Sequence, residues 1–268
     1  MAPRDAVSRG ADDSIPILEF DPEPKAVINP DVITDRVPDA DGCVISFFGG
    51  TLEQMVAARS LPQVATLRSE MGEHPVYQAE VDGVPLGLFA CGVGAPLAAG
   101  HLEELIAHGY RNFIVCGSAG VLDREIQFGK VVVCTSALRD EGTSYHYLPP
   151  GLAVEPDETA TRVLVDELDR AGIAHIQGRS WTTDGFFRET PAKVARRRTQ
   201  GCITVEMEAS ALFAVMRFRS VRLALALYGG DDVSGADWDP RQWPDRNHAI
   251  RAELIDHSLR ACRELVRR

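Results

Sequence analysis

The sequence predicts an α/β domain of three layers, α/β/α, around a central mixed, mainly parallel sheet. Three observations predict it. Short runs such as Cys43–Phe48, broken only by Ser46, and Phe113–Cys116 and Leu223–Tyr228 are apolar, as strands covered on both faces are. Longer stretches of helical character separate them, and strands alternating with helices build this class of sheet. Glycines and acids gather where the apolar runs end, in FFGGT, CGVGAP, CGSAG, TTDGFF, VEMEAS and GGDDVSG. Ligands of such sheets bind outside the carboxyl ends of the strands, so six loops at equivalent ends describe one assembled site.

In chain order, residues 1–41 carry six prolines and little periodicity. They are expected to form an extended N-terminal arm along the domain or a neighbouring subunit, with the first dozen residues loose. Residues 42–268 are expected to form a single domain. Cys43–Phe48 is a buried strand closed by Gly49-Gly50, followed by a helix from about Leu52 to Met71. Tyr77–Val81 and Val84–Ala90 bracket Asp82-Gly83, a hairpin signal. A helix from about Ala98 to His108 leads to the strand Asn112–Cys116 and a loop, Gly117–Gly120. Further strands are expected near 130–134, 173–181, 201–206 and 222–228, and helices near 157–171, 191–199, 207–218 and 247–266.

At 268 residues, with 45% apolar and 25% charged residues, the chain buries a sizeable core without staples. A net charge of -11 excludes an extended nucleic-acid or anionic-membrane surface, which requires a basic face. The six cysteines are scattered through apolar runs with no C-x-x-C pair, the pattern of buried free thiols in a reducing compartment. The N-terminus has no apolar signal-like core and no segment is long enough to span a bilayer, so the expected location is cytoplasmic.

The motifs narrow the chemistry. Cys91-Gly-Val-Gly-Ala-Pro96 lacks the third glycine of a dinucleotide fingerprint, Leu97 standing in its place, and no acid closes the next strand. It is either a plain tight turn or, the better reading, one whose N–H groups face an anion or a sugar. Gly117-Ser118-Ala119-Gly120 lacks the frame of a nucleophile elbow, and no metal spacing occurs among the histidines. Phe186, in Asp184-Gly-Phe-Phe187, offers a ring face to a planar base or simply fills core. Asp231 and Asp232 either cap a turn or, with a pKa raised by partial burial, protonate a leaving group. Glu206 and Glu208 flank Met207 where a strand enters a helix. The helix dipole accounts for one acid at such a junction. A carboxylate that accepts from a vicinal diol, beside a methionine packed on a ring, accounts for both as a ribose clamp.

With these residues in place, the chain resembles the nucleoside phosphorylase superfamily of the purine nucleoside and uridine phosphorylase type, which also contains methylthioadenosine/S-adenosylhomocysteine nucleosidase. The likeness spans about 42–266 and is carried by Val205-Glu-Met-Glu-Ala209, with GVGAP, GSAG, DGFF and GDDVSG in the same order. It implies a homo-oligomer, a dimer or a trimer of dimers, whose partners are a nucleoside and phosphate, without metal or other cofactor. It implies that Glu208 binds the ribose hydroxyls, Met207 touches sugar and base, and Glu206 supports them. Phe186 and Arg188 then stand beside the base, Cys91, Gly92, Ser118 and Gly120 line the substrate, and Asp231, or Asp232 after a one-residue shift, protonates the base. Gly49, Gly50 and Cys91 correspond to the phosphate site.

The sequence departs from this pattern where the family places arginines for phosphate: Glu53 and Leu88 occupy those positions. Arg59, Arg188 or Arg36 are the substitutes at hand. The arm lacks the histidine that reaches the 5′-hydroxyl in many relatives. Phosphorolysis is the leading expectation. The alternatives are a nucleosidase, in which Glu53 or Gln54 orients a water, and a non-catalytic nucleoside-binding protein.

Overall fold

The structure, a computed structural model, describes residues 15–39, 41–70, 72–241 and 248–268. The expectation of a loose first dozen residues lies outside them. The strands are β1 (Gly42–Ser46), β2 (Gln63–Ser69), β3 (Gly72–Val81), β4 (Val84–Ala90), β5 (Asn112–Val121), β6 (Val131–Asp140), β7 (Ala153–Val154), β8 (His175–Thr183), β9 (Cys202–Glu206) and β10 (Arg222–Asp232). The helices are α1 (Gly49–Arg59), α2 (Ala95–His108), α3 (Glu158–Arg170), α4 (Pro191–Thr199), α5 (Ala209–Arg219) and α6 (His248–Val266).

The mixed sheet runs β10-β6-β8-β9-β5-β1-β4-β3-β2, and β10 also pairs with β5. That extra pairing closes β5, β10, β6, β8 and β9 into a ring, with β1 to β4 extending from β5 as a wing. Strand β5 therefore has three neighbours: parallel to β1 over Asn112–Cys116, parallel to β10 from Asn112 to Ala119 and again at Val121, and antiparallel to β9 at Gly120 and Val121. Helices cover both faces. Leu102 and Leu105 of α2 and Leu212, Phe213 and Met216 of α5 pack one side. Leu52 of α1, Leu164 of α3 and Leu254, Ile255 and Leu265 of α6 pack the other. Every residue of α5 from Ala209 to Met216 is buried, which fits its apolar sequence; burying a side chain of Leu, Phe or Met size contributes about 1.5–3 kcal/mol.

Two expected elements differ. The helix expected over 52–71 ends at Arg59, where Ser60 turns left-handed (φ 51°). Pro62 then blocks helix and restricts Leu61 before it, so 63–69 becomes an edge strand paired antiparallel with β3. The loop expected at Gly117–Gly120 is strand: β5 continues through it, with Ser118 opposite Tyr228 and Gly120 opposite Val205. Its glycines serve close approach, since a Cβ on Gly120 would stand 3.1 Å from Val205. The Asp82-Gly83 hairpin forms as its turn chemistry requires, both residues at positive φ (48° and 77°).

Along the domain, residues 15–39 run as extended chain with two short 3₁₀ turns. They are fixed by the Val37 N–H to the His108 carbonyl (2.8 Å) and by Arg219 donating to the Pro24 carbonyl (2.7 Å).

Candidate active site

A cavity of about 550 Å³ opens at the carboxyl ends of β1, β5, β9 and β10, lined by Phe47, Phe48, Val93, Ser118, Glu206, Met207, Glu208, Leu225, Leu227 and Arg251. The two glutamates of VEMEA divide the tasks that the sequence left together. Glu206 is the helix-start device. One of its oxygens accepts from the backbone N–H groups of Glu208 (2.7 Å) and Ala209 (2.6 Å) at the head of α5, and the other from the hydroxyls of Ser180 (3.1 Å) and Thr182 (2.7 Å). Glu208 is the N-cap residue of α5 but does not cap it. Its carboxyl reaches the turn after β4 and accepts from Gly94 N–H at 2.6 Å.

Burial pushes both carboxyl groups up. Four donors oppose the rise at Glu206, while the backbone N–H groups of Gly94 and Met207 oppose it at Glu208, which also faces the charge of Glu206. Burial, then the Glu206 charge, push Glu208 up to about 8.

Cys91 lies half-buried beside this pair, its sulfur 3.4 Å from His101 Nδ1. Burial, and then Glu208, push the thiol well up, and burial, then His74, push His101 down to about 4. Both shifts favour the neutral forms, the opposite of what a thiolate–imidazolium nucleophile needs. At Gly92 a Cβ would meet the Leu97 side chain at 2.3 Å, so the turn packs directly on α2.

The adjacent acids at the end of β10 are separated by a bulge between Gly229 and Asp232. Asp232 is buried and held by Arg241 (3.1 Å) and by Ser234 N–H (2.8 Å). Burial raises its pKa, but those hydrogen bonds and the guanidinium outweigh it and hold the group below the usual carboxylate range. An acid fixed in its ionised form is no proton donor, which corrects the expectation that Asp232 might serve as one. Asp231 is half-buried, accepts from the Trp238 indole N–H at 2.7 Å, and comes within 3.7 Å of where a Cβ on Gly120 would stand. Glu189 lies near it: burial, then Asp231, push Glu189 up to about 7.

Other expected residues do not line the cavity themselves. Gly49 and Gly50 are the first residues of α1, immediately after Phe47 and Phe48. Glu53 and Gln54 are exposed, so the water-orienting role considered for them has no support in their placement. Arg59 is engaged by Asp256 (2.7 and 2.8 Å), and Arg36 is exposed on the arm. Phe186 and Arg188 form an exposed 3₁₀ turn outside the cavity, Phe186 stacked on Phe187 at 4.0 Å. His248 bonds Thr51 Oγ1 through Nδ1 at 2.8 Å. Arg251 was not foreseen at all. Nothing near it in the sequence distinguishes it from a surface arginine of a C-terminal helix. Among the described residues no group of three His, Cys, Asp or Glu side chains is placed to hold a metal ion.

Comparison with known proteins places this arrangement. The family model of the phosphorylase superfamily matches residues 43–266. A guanosine phosphorylase of Halorubrum lacusprofundi is 32% identical over 165 residues, 61% of this chain and 68% of that one. A uridine phosphorylase of Treponema pallidum is 31% identical over 195 residues, 68% of this chain and 76% of the other. In fold, the chain is similar to a purine nucleoside phosphorylase from Toxoplasma gondii, solved in complex with immucillin-H (TM-score 0.73, 20% identity, 87% of this chain and 98% of that chain). It is similarly close to a uridine phosphorylase from Vibrio fischeri (TM-score 0.70, 22% identity, 88% and 99%). The family match covers the whole sheet and every strand end that lines the cavity: the chain belongs to the phosphorylase superfamily.

Proposed function

We propose that the protein is a nucleoside phosphorylase, cleaving the N-glycosidic bond of a ribonucleoside with phosphate to give the free base and ribose 1-phosphate. The observation that carries this is the placement of Glu208 and Met207 together on the wall of the cavity, with Glu206 committed to holding α5 behind them. A carboxylate there accepts from the 2′- and 3′-hydroxyls, and the methionine covers the ring. In the reaction a phosphate oxygen bonds to C1′ as the C1′–N bond breaks. The bond's electron pair leaves with the base, which takes up a proton. In this proposal Asp231 supplies that proton, with Glu189 beside it, and general acid assistance contributes about 10²–10⁴-fold. Beyond C1′ the work is electrostatic stabilisation of the developing oxocarbenium charge.

The exposure of Glu53 and Gln54 supports phosphorolysis over hydrolysis, because neither reaches the cavity to orient a water. The proposal includes no metal or cofactor beyond phosphate as co-substrate, a cytoplasmic location, and a homo-oligomer. Exposed Val27, Ile28, Val32 and Ile33 on the arm are consistent with the last. Among the described residues no helix is long and apolar enough to cross a membrane.

A panel of purine and pyrimidine nucleosides, incubated with and without phosphate, tests it. Ribose 1-phosphate formed only with phosphate is the expected product, and the cleaved member names the base. Free ribose alone would replace phosphorolysis by hydrolysis. Saturable binding without turnover would leave a binding protein.

A further inference from the structure

A dianion in this cavity faces an electrostatic difficulty. Glu206 and Glu208 put acid on its wall, and the positions where relatives carry arginines hold Glu53, exposed, and Leu88, fully buried in the core. An anion site without a cation loses its strongest hydrogen bonds. We propose that Arg251 is the phosphate-binding cation of this enzyme, positioned by His248; the proposal rests on the phosphorolytic function above.

Among the described residues Arg251 is the one cationic side chain lining the cavity. It is half-buried, and its Nε donates to the hydroxyl of Tyr228, itself 1% exposed, at 3.1 Å. The guanidinium lies over the rings of Phe48 (5.4 Å) and Tyr228 (6.0 Å), which fix its plane. No carboxylate pairs with it among the described residues, unlike Arg59, Arg241 and Arg263. With Nε committed, the Nη edge remains for a ligand, and two parallel N–H groups match two oxygens of a phosphate.

The neighbourhood agrees with this. Phe48, under the guanidinium, immediately precedes Gly49-Gly50, and both glycines have open space where a Cβ would be. Their N–H groups begin α1, at the positive end of an eleven-residue helix. The bond between His248 and Thr51 ties the first turn of α6 to the first turn of α1. Arg251 follows His248 by three residues, on the same face of α6, so that tie, with the Arg59–Asp256 pair farther along the two helices, holds the guanidinium over Phe48, the residue before the glycine turn. The cation thus reaches the phosphate position from the opposite end of the chain.

The test is steady-state kinetics of the full chain on whichever nucleoside it cleaves, varying inorganic phosphate and nucleoside separately. Arg251→Gln is expected to raise the phosphate KM by about 10- to 100-fold, the loss of a charge-assisted pair, with the nucleoside KM within about twofold. Arg251→Lys is expected to recover part of the loss. His248→Ala is expected to raise the phosphate KM less than Arg251→Gln, again leaving the nucleoside KM unchanged. Thermal melts accompany each variant: phosphate should raise the Tm of the parent and of Arg251→Lys, but not of Arg251→Gln. An unchanged phosphate KM in folded Arg251→Gln overturns the assignment and leaves phosphorolysis standing. Phosphate-independent cleavage to free ribose by the parent overturns both.

Discussion

Glu206→Ala removes the acceptor of four donors at once. The hydroxyls of Ser180 and Thr182 can rotate toward other partners, but the N–H groups of Glu208 and Ala209 are fixed by the start of α5 and buried there. Each buried N–H left unsatisfied costs about 1–3 kcal/mol, so the alanine variant should lose about 2–6 kcal/mol of a total that for a domain is about 5–15 kcal/mol. Glu206→Gln keeps one oxygen for the two N–H groups. Its amide nitrogen then faces Ser180 and Thr182, whose oxygens accept; Thr182 already accepts from Ser210 N–H at 2.9 Å. Only the charge is lost, at about 1–2 kcal/mol. Relief of repulsion with Glu208 is common to both variants, so their difference isolates the orphaned N–H groups. Urea unfolding of the parent and both variants at one pH measures it. An alanine variant within about 0.5 kcal/mol of the glutamine variant would refute this account of the junction. The glutamine variant carries a second readout: without the neighbouring charge, Glu208 should titrate well below its value of about 8, and the corresponding limb of kcat/KM against pH should move to lower pH.

The remaining expectations follow from other contacts. Because the diol is bound by an ionised Glu208, nucleoside KM should fall as pH rises through about 8, and Glu208→Ala should raise it most among the cavity variants. For stability the sign is opposite. Glu208 and Glu189 have folded pKa values raised above 4.5, so their contribution is complete below that pH and lost as pH rises through about 7 and 8. Glu208→Gln should flatten that decline in melts taken across the range. Asp232→Asn should destabilise by about 2–4 kcal/mol through the uncompensated Arg241, and the lost stability belongs to pH above about 4, fading in acid as the parent's depressed carboxylate protonates. Asp231→Asn should instead slow turnover by about 10²–10⁴-fold with Tm nearly unchanged. Gly87→Ala should cost about 1–3 kcal/mol, since its Cβ would stand 2.7 Å from the buried Tyr110 ring, whereas Gly100→Ala, in open space on α2, should add about 0.5–1 kcal/mol.

What was legible in the sequence is what local chemistry decides. Asp82-Gly83 dictates its turn wherever it stands, and the apolar runs of β1 and β10 cannot be exposed. The Glu-Met-Glu junction shows its conflict with a plain helix start in three residues. What escaped was decided at a distance. Gly117 and Gly120 look like loop, yet they are strand because β5 pairs on through them, with Phe47 and Val205 pressed close where a side chain would begin. Asp231 and Asp232 are indistinguishable as text; a bulge and Arg241, nine residues on from Asp232, set them apart. Arg251 acquires its meaning only when α6 packs beside α1, nearly two hundred residues earlier in the chain.

The ring of five strands has a consequence for how this protein is made. Its closing pair joins β5 to the last strand, and the helix that follows carries Arg251 and His248. A chain emerging vectorially from the ribosome can assemble β1 to β4 early, as a wing of hairpins and a glycine turn. The floor of the cavity at Leu225 and Leu227, and its cation, arrive only with the final fifth of the sequence. Pairings this remote in sequence form late and slowly. A ligand that binds the cavity therefore stabilises only the completed chain, and truncation before α6 is expected to leave a nascent wing with no pocket for it.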